Sequence, residues 1–554
     1  MPAAQFISGK LFAIVKQDSL LRSTTLFSLA TLASRILGLL RDACIAAYVP
    51  KAWQDIFWAG FKIPSTFRQL FAEGALSAAF IPLLARVREN DGENKAREVG
   101  FAVFYLLAFA VIAVVIAAIL LTPWFVPVIL NDLRSIPDRV YLPAPGLSLT
   151  EFTLPLEIQT GWRVEAGVLA TQIMFPFLFF VALSAWSMGV LNTYRIFFMP
   201  ALASAFFNLS LIVACFTGAR WYSGNSLMWF LGGAVIVGGL FQYAAQIPDA
   251  WKIRYFPPRW VSPFHPQVKT FLRMLAPSAF GLAIYQVNAL ITQTYFAAKY
   301  GEGGISTIQY AFRLIQFPLG VVGVALATAS FPRIAQHIAQ QRREDATRTL
   351  THVCKYLMLL MIPAAVGLMV LGRDIVGAIY DHGEFHRNGW LDLTYAITVT
   401  YCMGLFSYSI VRVLVQTFQA HHDFHTPVKL GMFTVVVNIT LCAVFVRYFD
   451  IWSLGLASAI ASTIQGALLL LLLKRKMAAL SLRPLLSFLL RVLTATAGMA
   501  LCCFLFLTLC PFAGGTLITY SLRVGIGMSI GLAAYSAMGW FLFREELKKV
   551  MRLE

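Results

Sequence analysis

Charged side chains with phosphate-binding chemistry interrupt the apolar stretches of this sequence, namely Arg35, Arg41, Arg68 and Arg313. An arginine at the centre of a membrane-spanning helix costs about 2.5 to 3.5 kcal/mol on insertion scales, so such residues usually face a protein interior or a wet cavity. The guanidinium group matches phosphate oxygens in bidentate geometry. Four such cations with few partnering carboxylates predict a cavity that binds an anion.

Other charged residues accompany these arginines. Arg35 and Asp42 are seven residues apart on one helix face and are expected to compensate each other in part, whereas Arg41 is expected to point elsewhere. The second apolar stretch adds the supporting charges Asp55, Lys62 and Glu73. Arginines within apolar stretches can also form ion pairs between helices or snorkel to the membrane surface instead of binding an anion. These alternatives are favoured for Arg412 and Arg491, which lie nearer the ends of their stretches.

Two prolines lie close to these arginines in sequence. Pro64 cannot donate to the carbonyl of Gly60, so we expect a bend just before Arg68. Pro318 follows Arg313 by five residues. Gly60, Pro64 and Pro318 are therefore the hinge candidates.

The composition predicts the elements that must position these side chains. The 554 residues are 59% hydrophobic and 13% charged, with a mean hydropathy of +0.72. A water-soluble domain carries about twice that charge. Apolar stretches of about 20 residues, the length that spans a bilayer as a helix, recur along the chain. The sequence thus predicts an all-α integral membrane protein.

We place fourteen membrane-spanning helices, with boundaries good to a few residues. They are expected near residues 23–47, 54–85, 98–122, 165–192, 199–217, 226–247, 270–298, 303–334, 349–372, 389–418, 427–447, 452–473, 485–510 and 520–543. An even number puts both termini on one side, and Lys and Arg concentrate in the loops of that side, so the termini are predicted to be cytoplasmic. The outer segment 131–162 is too short and too rich in proline for a catalytic domain.

A faint internal repeat suggests two halves. Phe67-Arg68 precedes Phe80-Ile81-Pro82, much as Phe312-Arg313 precedes Phe331-Pro332, and repeated halves are common in transporters. The expected organisation is an N-lobe (residues 1–247, six helices), a C-lobe (248–480, six helices) and a C-terminal helix pair (481–554) around a central cavity.

Weaker candidates are two histidine clusters and a set of glycines. His382 and His386 with Glu384, and His421 and His425 with Asp423, have metal-ligand spacing but lie in short loops, where solvated polar residues are the favoured interpretation. Asp423 is expected to cap a helix rather than bind a coupling cation. Gly232, Gly233, Gly238 and Gly239 are expected to permit close helix packing. Neither a catalytic constellation nor a GxxxxGK[ST] motif is found, so no enzyme activity, resident metal or cofactor is predicted.

Several motifs together resemble one transporter family. They are Ser34-Arg35-Ile36-Leu37-Gly38 with Arg41-Asp42, Phe61-Lys62-Ile63-Pro64, Arg68-Gln69-Leu70-Phe71-Ala72-Glu73-Gly74-Ala75, Phe80-Ile81-Pro82, Gly189-Val190-Leu191-Asn192-Thr193, Phe317-Pro318 with Gly320-Val321-Val322-Gly323, and Asp423 with Thr426-Pro427. The chain resembles the MurJ (MviN) lipid II flippases of the multidrug/oligosaccharidyl-lipid/polysaccharide exporter superfamily over nearly its whole length. Phe312 and Gln316 depart from the family's pattern, which often has acidic residues there.

The resemblance implies a V-shaped cavity between two lobes and movement of an undecaprenyl-diphosphate-linked peptidoglycan precursor, lipid II, from the inner to the outer leaflet of the bacterial cytoplasmic membrane. The family's cavity arginines correspond to Arg35, Arg41, Arg68 and Arg313, and Asp42, Asp55 and Lys62 match charged positions. Coupling to the membrane potential or a monovalent cation is expected, with membrane lipids and peptidoglycan-synthesis proteins as candidate partners and no nucleic acid.

Alternative functions stay open at this point. A flippase for another polyprenyl-linked glycan would use the same arginines. A cation-coupled drug exporter of the same superfamily would instead need acidic or aromatic residues in the N-lobe cavity. A membrane glycosyltransferase or phosphatase would need catalytic carboxylates or histidines near a membrane surface, and an inactive scaffold would not need four costly arginines.

Overall fold

The computed structural model describes residues 29–69, 75–130, 159–477, 480–509 and 514–544. Within these ranges every regular element is a helix, so the predicted all-α class is confirmed for them. Glu73, residues 131–158 of the predicted outer segment, and residues 545–554 lie outside the described residues.

The described residues of the first half of the chain form ten helices. They are α1 (29–48), α2 (Lys51–Arg68), α3 (Ala75–Asp91), α4 (Glu93–Leu130), α5 (Gln159–Met174), α6 (Phe177–Thr193), α7 (Phe198–Trp221), α8 (Gly224–Ala244), α9 (Ile247–Lys252) and α10 (Pro266–Leu290), and a π-helical segment, Ile291–Phe296, continues α10.

Eleven more helices are formed by the part of the second half that the structure describes. They are α11 (Gly304–Pro318), α12 (Val324–Ala339), α13 (Arg343–Val370), α14 (Gly372–Tyr380), α15 (Gly383–Arg387), α16 (Leu391–Cys402), α17 (Leu405–Ala420), α18 (His425–Tyr448), α19 (Trp452–Lys476), α20 (Leu482–Leu509) and α21 (Leu517–Leu542), and a second π-helical segment, Leu319–Gly323, joins α11 to α12.

Eleven helical stretches of the described residues are long and apolar enough to cross a membrane. They are Glu93–Leu130, Trp162–Thr193, Phe198–Trp221, Gly224–Lys252, Gly304–Ala339, Arg343–Val370, Leu391–Ala420, His425–Tyr448, Trp452–Lys476, Leu482–Leu509 and Leu517–Leu542. They correspond to eleven of the predicted spans. The other three predicted spans coincide with α1, with α2 and α3, and with α10, so the total of fourteen stays a prediction.

The chain forms two compact units. The first takes its described residues from Met1–Val49, Ile56–Ile129 and Glu157–Val287, and the second takes them from Pro50–Asp55, Leu130–Leu156 and Asn288–Glu554. The first unit thus includes most of α10, beyond the predicted lobe boundary at residue 247. The predicted division into lobes of six spans and a terminal pair stays a prediction.

Close helix packing in the first unit depends on glycine. A Cβ atom added to Gly232 would lie 2.4 Å from Ile173, and one added to Gly239 would lie 2.7 Å from Phe177. Gly238 is similarly close to Phe207, whereas Gly233 has nothing within 4 Å of its Cβ position. The packing role predicted for four glycines is therefore confirmed for three of them and wrong for Gly233, which lies on the open face of α8.

In the second unit α18 packs on α19, α19 on both α16 and α17, and α20 on both α13 and α21. Leu371, Met499 and Cys503 form a buried apolar cluster where α20 meets the end of α13. The terminal helices α20 and α21 are thus packed within the second unit.

Candidate functional site

Arg41 on α1 is the most deeply buried of the four predicted arginines. Its Nε and Nη2 atoms donate to Oδ1 of Asp42 at 2.8 and 2.5 Å, and the two residues are 4% and 0% exposed. The expectation that Arg41 points away from Asp42 is wrong. Neighbouring Cα–Cβ bonds on a helix diverge, but the long arginine side chain is flexible enough to bring its guanidinium group back to the next carboxylate.

Further partners hold this guanidinium group. Nη1 of Arg41 donates to Oδ1 of Asn208 on α7 at 3.1 Å, and Nδ2 of Asn208 donates to the carbonyl oxygen of Ser34 at 3.1 Å. The Arg41 guanidinium carbon also lies 5.6 to 5.9 Å from the ring centroids of Trp58, Phe61 and Phe207. Aromatic ring faces attract cations, so the rings and the amide, which come from α2 and α7, stabilise the charge of Arg41 on α1.

Sequence reasoning missed this aromatic and amide environment. One available signal was the polar residue Asn208 within the apolar stretch of α7, since a buried amide needs hydrogen-bond partners. The other was the spacing of Trp58 and Phe61, three residues apart on one face of α2. Neither signal shows from sequence which cation the residues surround.

Arg35, Lys62 and Arg68 are half-buried on α1 and α2. Helix α2 continues through Pro64, and the hydroxyl groups of Ser65 and Thr66 donate to the carbonyl oxygen of Lys62 at 2.8 and 2.9 Å. These side chains are therefore presented on a continuous helix, and the predicted bend at Pro64 stays a prediction.

The hinge candidate Gly60 has a packing role in the structure. A Cβ atom at this position would lie 3.1 Å from Cβ of Ala170 and 3.2 Å from the backbone of α5. Gly60 therefore permits close approach of α2 and α5, while its role as a hinge stays a prediction.

Asp55, in the second unit, binds the N-terminus of α11. Its Oδ2 accepts from the backbone N–H of Gly303 at 2.6 Å, and its Oδ1 accepts from the N–H and hydroxyl of Ser306 at 2.9 and 2.6 Å. Gly303 has φ +90°, a left-handed conformation that glycine adopts readily. A buried carboxylate at the positive end of the helix macrodipole stabilises the start of α11, the helix that carries Arg313.

Arg313 is half-buried on α11, and its Nη1 donates to Oε1 of Gln316 at 3.3 Å. Pro318 ends this helix, and the π-helical segment Leu319–Gly323 follows directly. A proline removes one helical hydrogen bond, and π-helical turns accommodate such interruptions within a helix and are frequent at functional sites. A π-helical turn thus begins one residue after Pro318, while the hinge role of Pro318 stays a prediction.

The weaker candidates have structural partners. His386 contacts Asp381 at 2.9 Å, His382 contacts the carbonyl of Ala378, and Glu384 pairs with Arg387. Within the part of the chain that the structure describes, no group of three or more His, Cys, Asp or Glu side chains is arranged to hold a metal ion.

Asp423 caps α18, as predicted. Its Oδ1 accepts from the N–H of Thr426 at 3.0 Å, its Oδ2 accepts from the Thr426 hydroxyl at 2.8 Å, and Lys476 donates to the same Oδ2. Burial acts to raise the pKa of the Asp423 carboxyl, but the hydrogen bonds from Lys476 and Thr426 outweigh it and hold the pKa well below its usual value. The charged carboxylate therefore links the start of α18 to the end of α19.

The predicted site residues are divided between the two units. Arg35, Arg41, Asp42, Lys62 and Arg68 belong to the first unit, whereas Asp55, Arg313 and Pro318 belong to the second. Within the first unit the structure brings Arg41 and Asp42 together. Eleven apolar helical stretches long enough to cross a membrane, found among the described residues, define a polytopic α-helical membrane protein, and buried or half-buried arginines lie on its helices.

Comparison with known proteins agrees with this class. Residues 50–523 match the model of the lipid II flippase MurJ family. The probable lipid II flippase MurJ of Bdellovibrio bacteriovorus is 30% identical over 546 residues, which cover 97% of this chain and 98% of that protein. The lipid II flippase MurJ of Burkholderia cenocepacia is 29% identical, with 83% of this chain and 84% of that protein covered. The chain belongs to the MurJ family of lipid II flippases, which are transporters rather than enzymes.

Solved structures share the fold. A lipid II flippase MurJ in an inward closed conformation matches with a TM-score of 0.73 at 22% identity and covers 94% of this chain and 100% of that chain. An inward-facing multidrug resistance MATE transporter matches with a TM-score of 0.64 at 13% identity, with 81% and 95% covered. The predicted superfamily fold is confirmed, and the protein is a multi-pass protein of a bacterial inner-membrane family.

Proposed function

We propose that this protein moves lipid II, the undecaprenyl-diphosphate-linked peptidoglycan precursor, from the inner to the outer leaflet by alternating access. The observation that carries the proposal is membership of the MurJ family over most of the chain, in a sequence that keeps all four arginines within its predicted spans. The alternatives, a flippase for another polyprenyl-linked glycan and a cation-coupled drug exporter, lack a specific observation in their favour.

The four arginines have different parts in this proposal. Arg35, Arg68 and Arg313 are half-buried and bind the diphosphate through charge-assisted hydrogen bonds, for which guanidinium geometry is well suited. Arg41 is held by Asp42 and exchanges part of this pairing for a phosphate oxygen when substrate is present. This exchange compensates the charge of Arg41 both with and without bound substrate. It thereby lowers the free-energy cost of a cation inside the membrane.

The energy source is proposed to be the membrane potential or a monovalent cation. A potential supplies about 2.3 kcal/mol per elementary charge per 100 mV, which is enough to bias a conformational cycle in which charged side chains move. Asp423 is engaged as a helix cap and an ion-pair partner, so we do not assign it the coupling cation. Both termini are proposed to be cytoplasmic, and peptidoglycan-synthesis proteins are the proposed protein partners.

Replacement of single arginines tests the proposal. In cells depleted of their native flippase, we expect Arg68→Ala and Arg313→Ala to abolish the appearance of lipid II at the outer leaflet, measured by its accessibility to an external probe. Arg68→Lys and Arg313→Lys keep the charge but lose the bidentate geometry, and we expect them to transport poorly as well.

Arg491→Ala is the matched control, because Arg491 also lies within a predicted span but is exposed and contacts only Ser487 among the described contacts of its side chain. We expect it to transport normally. Full transport by both Arg68→Ala and Arg313→Ala, at normal protein levels, would overturn the proposed site. Normal transport of lipid II with Lys in place of either arginine would support the proposed site but contradict bidentate binding there. It would show that charge attraction alone is sufficient at that position.

A further inference from the structure

Residues 251–273 join α9 to the first turns of α10 and expose an unusual combination of side chains. Trp251, Trp260 and Phe264 are 69%, 67% and 92% exposed. Five basic residues are exposed on the same segment, namely Lys252, Arg254, Arg259, Lys269 and Arg273. From 247 to 275 the sequence contains one acidic residue, Asp249, which pairs with Lys252 at 2.7 Å. The segment therefore combines large exposed apolar rings with a strong positive charge.

The backbone of this segment is held firmly in the first unit. Tyr255 is completely buried, with its ring centroid 5.6 Å from that of Phe101, and a Cβ atom on Gly100 would lie 2.6 Å from the Tyr255 ring. The hydroxyl of Tyr105 donates to the carbonyl oxygen of Pro258 at 3.3 Å. The exposed rings are thus presented from a fixed backbone, so their exposure is a feature of the fold.

Contacts of Trp260 with α4 indicate how deep the segment lies relative to the membrane. Its ring centroid is 4.7 Å from that of Tyr105 and 6.2 Å from that of Phe109. Beyond Phe109 the exposed face of α4 is apolar through Ile112, Ile116, Leu120 and Trp124. This face is about 22 Å long at 1.5 Å per residue, which is most of the hydrocarbon thickness. Trp260 therefore lies at one end of a lipid-facing stripe, the depth at which tryptophan is enriched in membrane proteins.

We propose that residues 251–273 form a binding surface for anionic phospholipid head groups in the membrane interface. Trp251, Trp260 and Phe264 enter the boundary between head groups and acyl chains, and the basic side chains bind lipid phosphates. The charge of the segment is complementary to an anionic leaflet, and Trp260 lies at the end of the lipid-facing stripe of α4. An acidic protein partner would explain the charge but not the position of Trp260 at the end of the lipid-facing stripe.

Titration of the purified full-length protein with lipid tests the proposal. Phosphatidylglycerol and phosphatidylcholine with identical acyl chains are added in detergent, and the shift of the melting midpoint gives the apparent affinity for each. We expect phosphatidylglycerol to bind more tightly. Arg259→Gln/Lys269→Gln/Arg273→Gln removes three basic residues from this anionic-lipid surface and is expected to weaken phosphatidylglycerol binding by roughly a hundredfold.

Arg342→Gln/Arg343→Gln/Arg348→Gln is the control, because it removes the same charge from exposed positions in the second unit. We expect it to keep most of the preference for phosphatidylglycerol. An equal loss in both triple variants would show a general charge effect and overturn the proposed surface, as would the absence of any lipid preference in the unmodified protein.

Fluorescence quenching tests the depth of the aromatic side chains independently. In vesicles that contain phosphatidylcholine brominated either near the head group or deep in the chain, we expect Trp260→Phe to remove more of the shallow quenching than of the deep quenching. A loss of deep quenching alone, or no loss of quenching by either lipid, would overturn the interfacial position.

Discussion

Individual side chains compensate charge inside the membrane in this protein. Arg41 and Asp42 form a buried pair, and Asn208 adds a hydrogen bond to the same guanidinium group. A buried ion pair contributes little net stability against well-packed apolar residues, but removal of one partner leaves an uncompensated charge. Each charge of the pair therefore requires the other to be present.

This constraint predicts an asymmetry between single and double variants. Asp42→Ala leaves the Arg41 charge buried without its carboxylate and is expected to destabilise the protein by roughly 3 to 5 kcal/mol. Arg41→Met/Asp42→Ala removes both charges and is expected to recover most of that loss. Melting of the purified variants in detergent measures the difference, and a double variant no more stable than Asp42→Ala would contradict the structural role of the pair.

Asp423 predicts a dependence of stability on pH. Its folded-state pKa lies below the usual value, so its contribution is complete above the usual aspartate pKa of about 3.9 and is lost as the pH falls further. Asp423→Ala is expected to cost on the order of 1 kcal/mol at pH 7, as loss of a helix cap does. The difference in melting midpoint between the unmodified protein and Asp423→Ala should shrink toward pH 3. A difference that stays constant would refute the role of the charged Asp423 carboxylate.

At the scale of elements, α11, the helix that carries Arg313, has a fixed start and an irregular end. Asp55 fixes the first turn of α11, and Pro318 and the segment Leu319–Gly323 end its regular hydrogen bonding after Arg313. The start of the helix is thus held by hydrogen bonds to a carboxylate, while its end passes into a π-helical turn, a feature that is frequent at functional sites.

Pro318→Ala tests the importance of this turn. Alanine restores the missing N–H and favours a regular helix, so we expect an unchanged or higher melting midpoint with a severalfold lower transport rate. Pro332→Ala is the control, since Pro332 lies inside α12 in the same predicted span but away from the π-helical turn. Equal transport by the two variants would indicate that the turn at Pro318 is not a hinge.

For the whole molecule, the predicted topology assigns loops to opposite sides of the membrane. In a variant without its native cysteines, we expect Asn388→Cys to react with a membrane-impermeant maleimide in intact cells, because it lies in a loop assigned to the outer side. Gln341→Cys lies in a loop on the side of the termini and is expected to react only after lysis. Labelling of Gln341→Cys in intact cells would place the termini outside and would invert the proposed direction of transport.

The sequence alone determined the membrane fold and most of the span positions, and it selected the arginines to examine. The fold and the span positions can be predicted because the cost of polar groups in hydrocarbon acts on each residue independently of its distant neighbours, so the local composition reflects it directly. The cap at Asp423 was predictable for a similar reason, since its partner Thr426 is three residues away.

Only the tertiary structure decided which partner each charge has. Arg41 pairs with Asp42 rather than pointing away from it, and two of its other contacts, Asn208 and Phe207, are more than 160 residues distant. The aromatic segment around Trp260 likewise acquires its position from contacts with α4. Helical periodicity shows which residues share a face, but the partner of that face depends on helix packing, which brings distant parts of the chain together.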